Sequence, residues 1–190
     1  ALGYCVNGSR QSRFGGDQAG LPARLVVNGT NDMSELHDRA VFFVARGFGV
    51  GCSPVAPGTL GTAVAIPLVC LQLVLSPVVF LIFVLVFILG AVYVATVAEN
   101  QMDRTDDPSI VVDEMAGFLI AMAYVPLTAW SMLTGFVLFR ALDIFKPPPV
   151  NTVEQKISGG LGIVGDDLVA GLMTNVVLQL IIRVDIFSWH

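Results

Sequence analysis

Val78-Val79-Phe80-Leu81-Ile82-Phe83-Val84-Leu85-Val86-Phe87-Ile88-Leu89-Gly90-Ala91-Val92-Tyr93-Val94-Ala95-Thr96-Val97 runs for twenty residues without a charge. As a helix rising 1.5 Å per residue it covers about 30 Å, the hydrocarbon thickness of a bilayer. A buried core helix is seldom this apolar over that length. The rest of the chain agrees: 55% of residues are hydrophobic, only 13% are charged, and the mean hydropathy is +0.77. A soluble domain carries about twice that charged fraction. The expected fold class is therefore all-α, a polytopic helical membrane bundle.

Working outward, Ser76-Pro77 precedes the run as a tight turn, because a residue before proline is pushed out of the helical region. Ahead of it lies a first apolar block, Gly58 to Leu75, broken once by Pro67. After Glu99 comes a third block, Met115 to Leu142, interrupted at Val125-Pro126-Leu127-Thr128, and then a fourth, Leu168 to about Ile182. As one helix the third block would be roughly 42 Å long, too long to cross without strong tilt. Folded back at Pro126 it becomes a helical hairpin whose ends return to the side they left. The segment before Gly58, the Glu99–Glu114 loop and the Asp143–Asp167 loop then share one face of the membrane. Six basic residues, Arg39, Arg46, Arg104, Arg140, Lys146 and Lys156, fall on that face. The positive-inside rule makes it cytoplasmic, in a multi-pass protein of the inner (cytoplasmic) membrane. A single crossing by the third block is the alternative, and it strands Lys146 and Lys156 outside.

Residues 1–32 are polar, Gly-rich and patternless, with Met33-Ser34-Glu35-Leu36 after them reading as a natural start. They are expected to be a disordered extension or a non-native scar, leaving 33–190 as a single membrane-embedded domain. Cys5, Cys52 and Cys70 have no zinc or redox spacing. A net charge of −5 argues against nucleic acid as a partner.

The chemistry gathers on the polar face. Asp113-Glu114 opens the third block and Asp166-Asp167 the fourth, with Asp143 between them. One such pair reads as helix capping, since carboxylates are favoured at a helix N-terminus. Two pairs plus Asp143 beside a bilayer point to a hard cation, because converging carboxylates repel one another and all-oxygen ligands suit Mg2+. The candidate metal and catalytic residues are thus Asp113, Glu114, Asp143, Asp166 and Asp167. Lys146 and Arg140 bracket Asp143 by three residues on either side, a spacing that shares a helix face and makes a candidate phosphate clamp. Membrane-edge anchoring by snorkelling is the competing reading. The stretch Gly47 to Thr62, rich in Gly, Pro and hydroxyls, offers backbone N–H groups with Ser53 and Thr59 to an anion; a close-packed membrane-entry turn is the alternative. Ser158-Gly159-Gly160-Leu161-Gly162 reads as a flexible approach to Asp166-Asp167.

Several of these motifs occur together and in order: Gly47-Phe48-Gly49, Ser53-Pro54 and Pro57-Gly58-Thr59 with Gly61; Ile110-Val111-Val112-Asp113-Glu114 with Gly117; Arg140, Asp143 and Lys146-Pro147; Gly159-Gly160 with Gly162, Asp166-Asp167 and Ala170-Gly171. In this the chain resembles the phosphatidylglycerophosphatase A family from about Phe43 to Met173. The resemblance implies a membrane enzyme that uses Mg2+ to remove the terminal phosphate of phosphatidylglycerophosphate, a phospholipid substrate, giving phosphatidylglycerol. Thr62 stands where a serine is common in the family, and the Pro126 turn is unusually apolar.

Other phosphatase chemistries lack their residues. The histidines, His37 and His190, lie near the start and at the end; no Cys is followed six positions later by Arg, and no Asp-x-Asp-x-Thr run exists. Phosphatidic acid or another lipid phosphate remains an alternative substrate, since spacing does not fix a headgroup. A non-enzymatic cation transporter is the alternative of another class, although transport usually places ionisable groups within the spans.

Overall fold

The computed structural model describes residues 29–101, 107–157 and 159–183. Residues 1–28, most of the expected extension, lie outside it, as do Asp103, Arg104, Asp106 and Ser158. Among the described residues every regular element is helical: α1 (Gly29–Ala45), α2 (Pro57–Val64), α3 (Ile66–Cys70), α4 (Pro77–Gln101), α5 (Val112–Ala121), α6 (Ala129–Phe145), α7 (Val150–Lys156) and α8 (Gly160–Arg183). Short 3-10 turns occur at Val50–Cys52 and Leu71–Leu73. The first helix starts at Gly29, inside the segment expected to be an extension.

Two helices are long and apolar enough to cross a membrane, Pro77–Asn100 and Gly160–Arg183. The α4 helix turns Val78, Val79, Leu81, Ile82, Leu85, Val86 and Leu89 outward, all exposed. Water disfavours such a surface by about 25 cal/mol per Å2, whereas hydrocarbon accepts it. Its inner face is Ala91, Ala95 and Ala98, small side chains that let α4 close on Val112, Ala116 and Val164. The α8 helix is the hub, packing against α4, α5, α6 and α7. A second cluster built on Met115, Phe118, Leu119, Met122, Phe139 and Leu178 fills the space among α5, α6 and α8.

Contacts along the third block pair its two halves in opposite order. Glu114 meets Arg140, Phe118 meets Phe136 and Phe139, and Met122 approaches Gly135. Between the halves the backbone is irregular, and Tyr124 takes a left-handed conformation with φ 58°. Unpaired peptide groups are costly in an apolar medium, and here side chains satisfy them. Asn175 Nδ2 donates to the carbonyls of Ile120, Ala121 and Ala123 at 3.1, 3.1 and 2.8 Å. Gln179 donates to Tyr124 O, and Gln72 both donates to Met122 O and accepts from Tyr124 N. The α6 helix then starts in a capping box, Thr128 with Ser131. Tyr124 Oη donates to Pro77 O at 2.7 Å, so the Pro77 and Pro126 turns lie at the same end of the molecule.

Candidate active site

At the other end, three acidic residues converge. Carboxylate oxygens of Asp113, Glu114 and Asp167 lie within 4.8 Å of one another, with Asp113 and Asp167 buried. The cause is the crossing of α5 and α8. A Cβ on Gly171 would sit 2.2 Å from Gly117 O, and one on Gly117 would sit 2.6 Å from Asp167 O. Only glycines allow the backbones so close. Asp113 and Asp167 each stand one turn before their glycine, so that approach sets their separation.

Each of the two remaining acids is paired with a cation. Arg140 Nη1 pairs with Asp143 Oδ2, three residues along α6, and lies 3.8 Å from Glu114 Oε1. Asp143 in turn interacts with the Asp167 carboxyl. Lys146 Nζ donates to Asp166 Oδ2 at 2.8 Å. The expected shared face of Arg140, Asp143 and Lys146 holds only for the first two. Lys146 caps α6 in a left-handed conformation, φ 43°, which takes it off the helix face and onto α8.

Two further expectations need correction. Asp166-Asp167 does not open a helix: α8 begins at Gly160, so the pair lies almost two turns inside it, beyond the reach of helix-end capping. Gly160 and Gly162 are correspondingly not a flexible approach. They are helical and close-packed, with Gly160 against Thr96 and Val92 of α4 and Gly162 against Ile157. By contrast, Asp113 and Glu114 do occupy the first turn of α5. Both lie outside the two spanning helices. Burial raises the Asp113 carboxyl well above its ordinary range and the adjacent Glu114 charge adds to this; burial also raises Glu114.

Of the two candidate hydroxyls, Ser53 is occupied locally, donating to Val55 O at 3.0 Å. Thr59 follows Gly58 at the start of α2. Gly58 itself is the point of contact: a Cβ there would lie 2.1 Å from Glu114 Oε1 and about 3 Å from both terminal nitrogens of Arg140. The Pro57-Gly58-Thr59 motif therefore closes over the carboxylate cluster, with Pro57 in the first turn of α2.

The cluster fits a hard divalent cation. Its donors are all carboxylate oxygens, and Glu114 Oε2 is buried without a hydrogen-bond partner among the described residues.

Comparison with known proteins places this arrangement. The profile of the family described as Phosphatidylglycerophosphatase A matches residues 43–182. The chain is 37% identical to Phosphatidylglycerophosphatase A of Escherichia coli over 73% of its own length and 81% of that protein's. It is 38% identical to the Haemophilus influenzae protein of the same name, covering 73% and 86%. It is also 34% identical to a Putative phosphatidylinositol-3-phosphatase of Bacteroides thetaiotaomicron, covering 71% and 89%. No solved structure matches the chain. A family match across nearly the whole described region, spanning both carboxylate pairs and both cations of the site, establishes that the chain belongs to the phosphatidylglycerophosphatase A family.

Proposed function

We propose that this protein hydrolyses the terminal phosphomonoester of phosphatidylglycerophosphate to phosphatidylglycerol and phosphate, with Mg2+, at the cytoplasmic face of the inner membrane. The observation that carries the reading is the convergence of Asp113, Glu114 and Asp167 at one end of the bundle in a chain of this family. Five carboxylates surround the site against two cations, Arg140 and Lys146. A phosphate monoester entering that field is repelled unless a further positive charge accompanies it. Asp113, Glu114 and Asp167 would hold a divalent cation, which when bound would supply that charge and polarise the phosphoryl oxygens.

The protein's own groups do the rest. Arg140 fixes Asp143 beside Asp167 and faces Glu114, so it positions carboxylates as well as offering charge to the phosphate. Lys146, held by Asp166, presents its ammonium from the end of α6 to the remaining phosphate oxygens. One carboxylate of the group serves as nucleophile or as base for the attacking water.

The same reading gives the topology. The third block is a hairpin, supported by the Glu114–Arg140 and Phe118–Phe139 contacts, and its turn lies with Pro77 at the end away from the acids. The acids then lie at headgroup depth, where a lipid phosphate resides while its acyl chains stay among apolar side chains.

A second headgroup has a specific observation in its favour, the 34% identity to a relative named for a phosphatidylinositol phosphate. Phosphate release by purified protein from phosphatidylglycerophosphate, phosphatidic acid and phosphatidylinositol 3-phosphate, compared as kcat/KM, decides between them. A preference of tenfold or more for phosphatidylglycerophosphate is expected. A preference for either other lipid replaces the substrate, and release from none of the three overturns the enzyme reading.

A further inference from the structure

An apolar groove of about 670 Å3 runs beside α2, and nothing in the carboxylate site uses it. Its walls include Val50 and Pro54 from the preceding segment and Leu60, Ala63 and Val64 from the helix. The two sides of α2 are distinct. Gly58, Gly61 and Thr62 are buried toward α5, with Gly61 against Val111. Leu60, Ala63 and Val64, spaced three and four apart, form the other side. The helix thus separates groove from acids, and the two approach only at its N-terminal end. There Gly58 touches Glu114 and Arg140, and Ser53 and Pro54 border the groove four to five residues earlier.

We propose that this groove holds one acyl chain of the substrate lipid while its phosphate occupies the carboxylate site. The proposal rests on the lipid-phosphatase reading and deepens it by naming where the hydrophobic part of the substrate is recognised. Three features favour a hydrocarbon chain over a headgroup or a peptide. The named walls bear no charge, and the hydroxyl at the rim, on Ser53, is already engaged with the Val55 backbone. The volume lies within the range of small-molecule sites, about 300–1,000 Å3. The groove and the site also approach each other at the N-terminal end of α2, where Gly58 touches Glu114 and Arg140 and Ser53 and Pro54 border the groove, so one lipid can engage both.

Ala63→Phe narrows the groove from its wall without touching the buried side of α2. With substrates of sixteen-carbon chains, KM is expected to rise at least tenfold. With a dihexanoyl substrate, whose chains are too short to fill the groove, kcat/KM is expected to stay within twofold of wild type. In parallel, phosphatidylglycerol carrying a diazirine on one acyl chain is expected to label the 50–64 peptide of wild type, with labelling lost in Ala63→Phe. Equal loss on both chain lengths, no loss on either, or label confined to the outward face of α4 would overturn the groove assignment. Wild-type protein inactive on both substrates would instead sink the phosphatase reading, and the labelling would still report whether the groove takes a chain.

Discussion

Gly171→Ala tests how the carboxylates are brought together. The added Cβ would lie 2.2 Å from Gly117 O, 3.0 Å from Gly117 C and 3.2 Å from its Cα. All three are backbone atoms, so no rotamer change relieves the contact. Ordinary van der Waals contact begins near 3.4 Å, so α5 and α8 must separate by about 1.2 Å along that line. Asp113 and Asp167 lie one helical turn away and move with their backbones. The oxygens of Asp113 and Asp167, now within 4.8 Å of each other, would move apart by a similar amount, away from the close approach that one shared cation requires. A misplacement of about 1 Å in a positioned site costs on the order of 100-fold in rate. The expected outcome is a fall of about 100-fold or more in Mg2+-dependent phosphate release, with the protein still eluting as a folded species in detergent. Overpacking would lower its thermal midpoint by the equivalent of about 1–3 kcal/mol. Gly90→Ala is the control, because its Cβ meets nothing within 4 Å on α4. Turnover by Gly171→Ala within threefold of wild type would refute the claim that this crossing sets the site.

Other predictions follow from neighbouring residues. Asp113→Asn and Asp167→Asn should each reduce turnover by several orders of magnitude, whereas Asp166→Asn, which loses its bond to Lys146, should cost less; steady-state kinetics of the three variants rank them. The folded-state pKa values of Asp113 and Glu114 are raised, so metal-free protein binds more protons folded than unfolded, and stability falls as pH climbs above the ordinary carboxylate range. Metal-free Asp113→Asn should therefore melt above wild type at pH 7.5, with the gap closing toward pH 4, as thermal scans in chelator would show. Asn175→Leu removes the side-chain donor to the Ile120, Ala121 and Ala123 carbonyls, of which Ile120 O keeps the Ala123 N–H, and should destabilise the fold by about 1–3 kcal/mol in denaturant titration, while Val176→Leu, on the exposed side of α8, should be neutral.

The apolar blocks were legible because period and length dominate the membrane signal: the run ending at Val97 lies within one helix, α4. Boundaries set by packing were not. Gly159-Gly160 and Gly162 read as loop because glycine is a poor helix former, yet Gly160 begins α8, fitting against Thr96 and Val92. Missing those residues moved the start of α8 and made Asp166-Asp167 look like a capping pair. The acids of the site stood out because carboxylates are rare beside apolar runs, but spacing alone could not divide them between the Asp113–Glu114–Asp167 cluster and the Asp143–Arg140 and Asp166–Lys146 pairs. That division depends on a helix crossing and on the left-handed backbone of Lys146, which no local pattern encodes. The polar side chains that support the break after α5 carry a signal of their own: Asn175 and Gln179 lie four apart among the apolar residues of the second half of α8.

On the proposed function, Asp113, Glu114 and Asp167 bind a divalent cation that phosphate release requires. Phosphate release from phosphatidylglycerophosphate, titrated with free Mg2+ from excess chelator upward in wild type and Asp167→Asn, tests it most directly. Wild type is expected to show saturable activation from a negligible baseline, and the variant to stay near that baseline at every concentration. Full wild-type turnover in chelator, or an Asp167→Asn curve that superimposes on wild type, would contradict it.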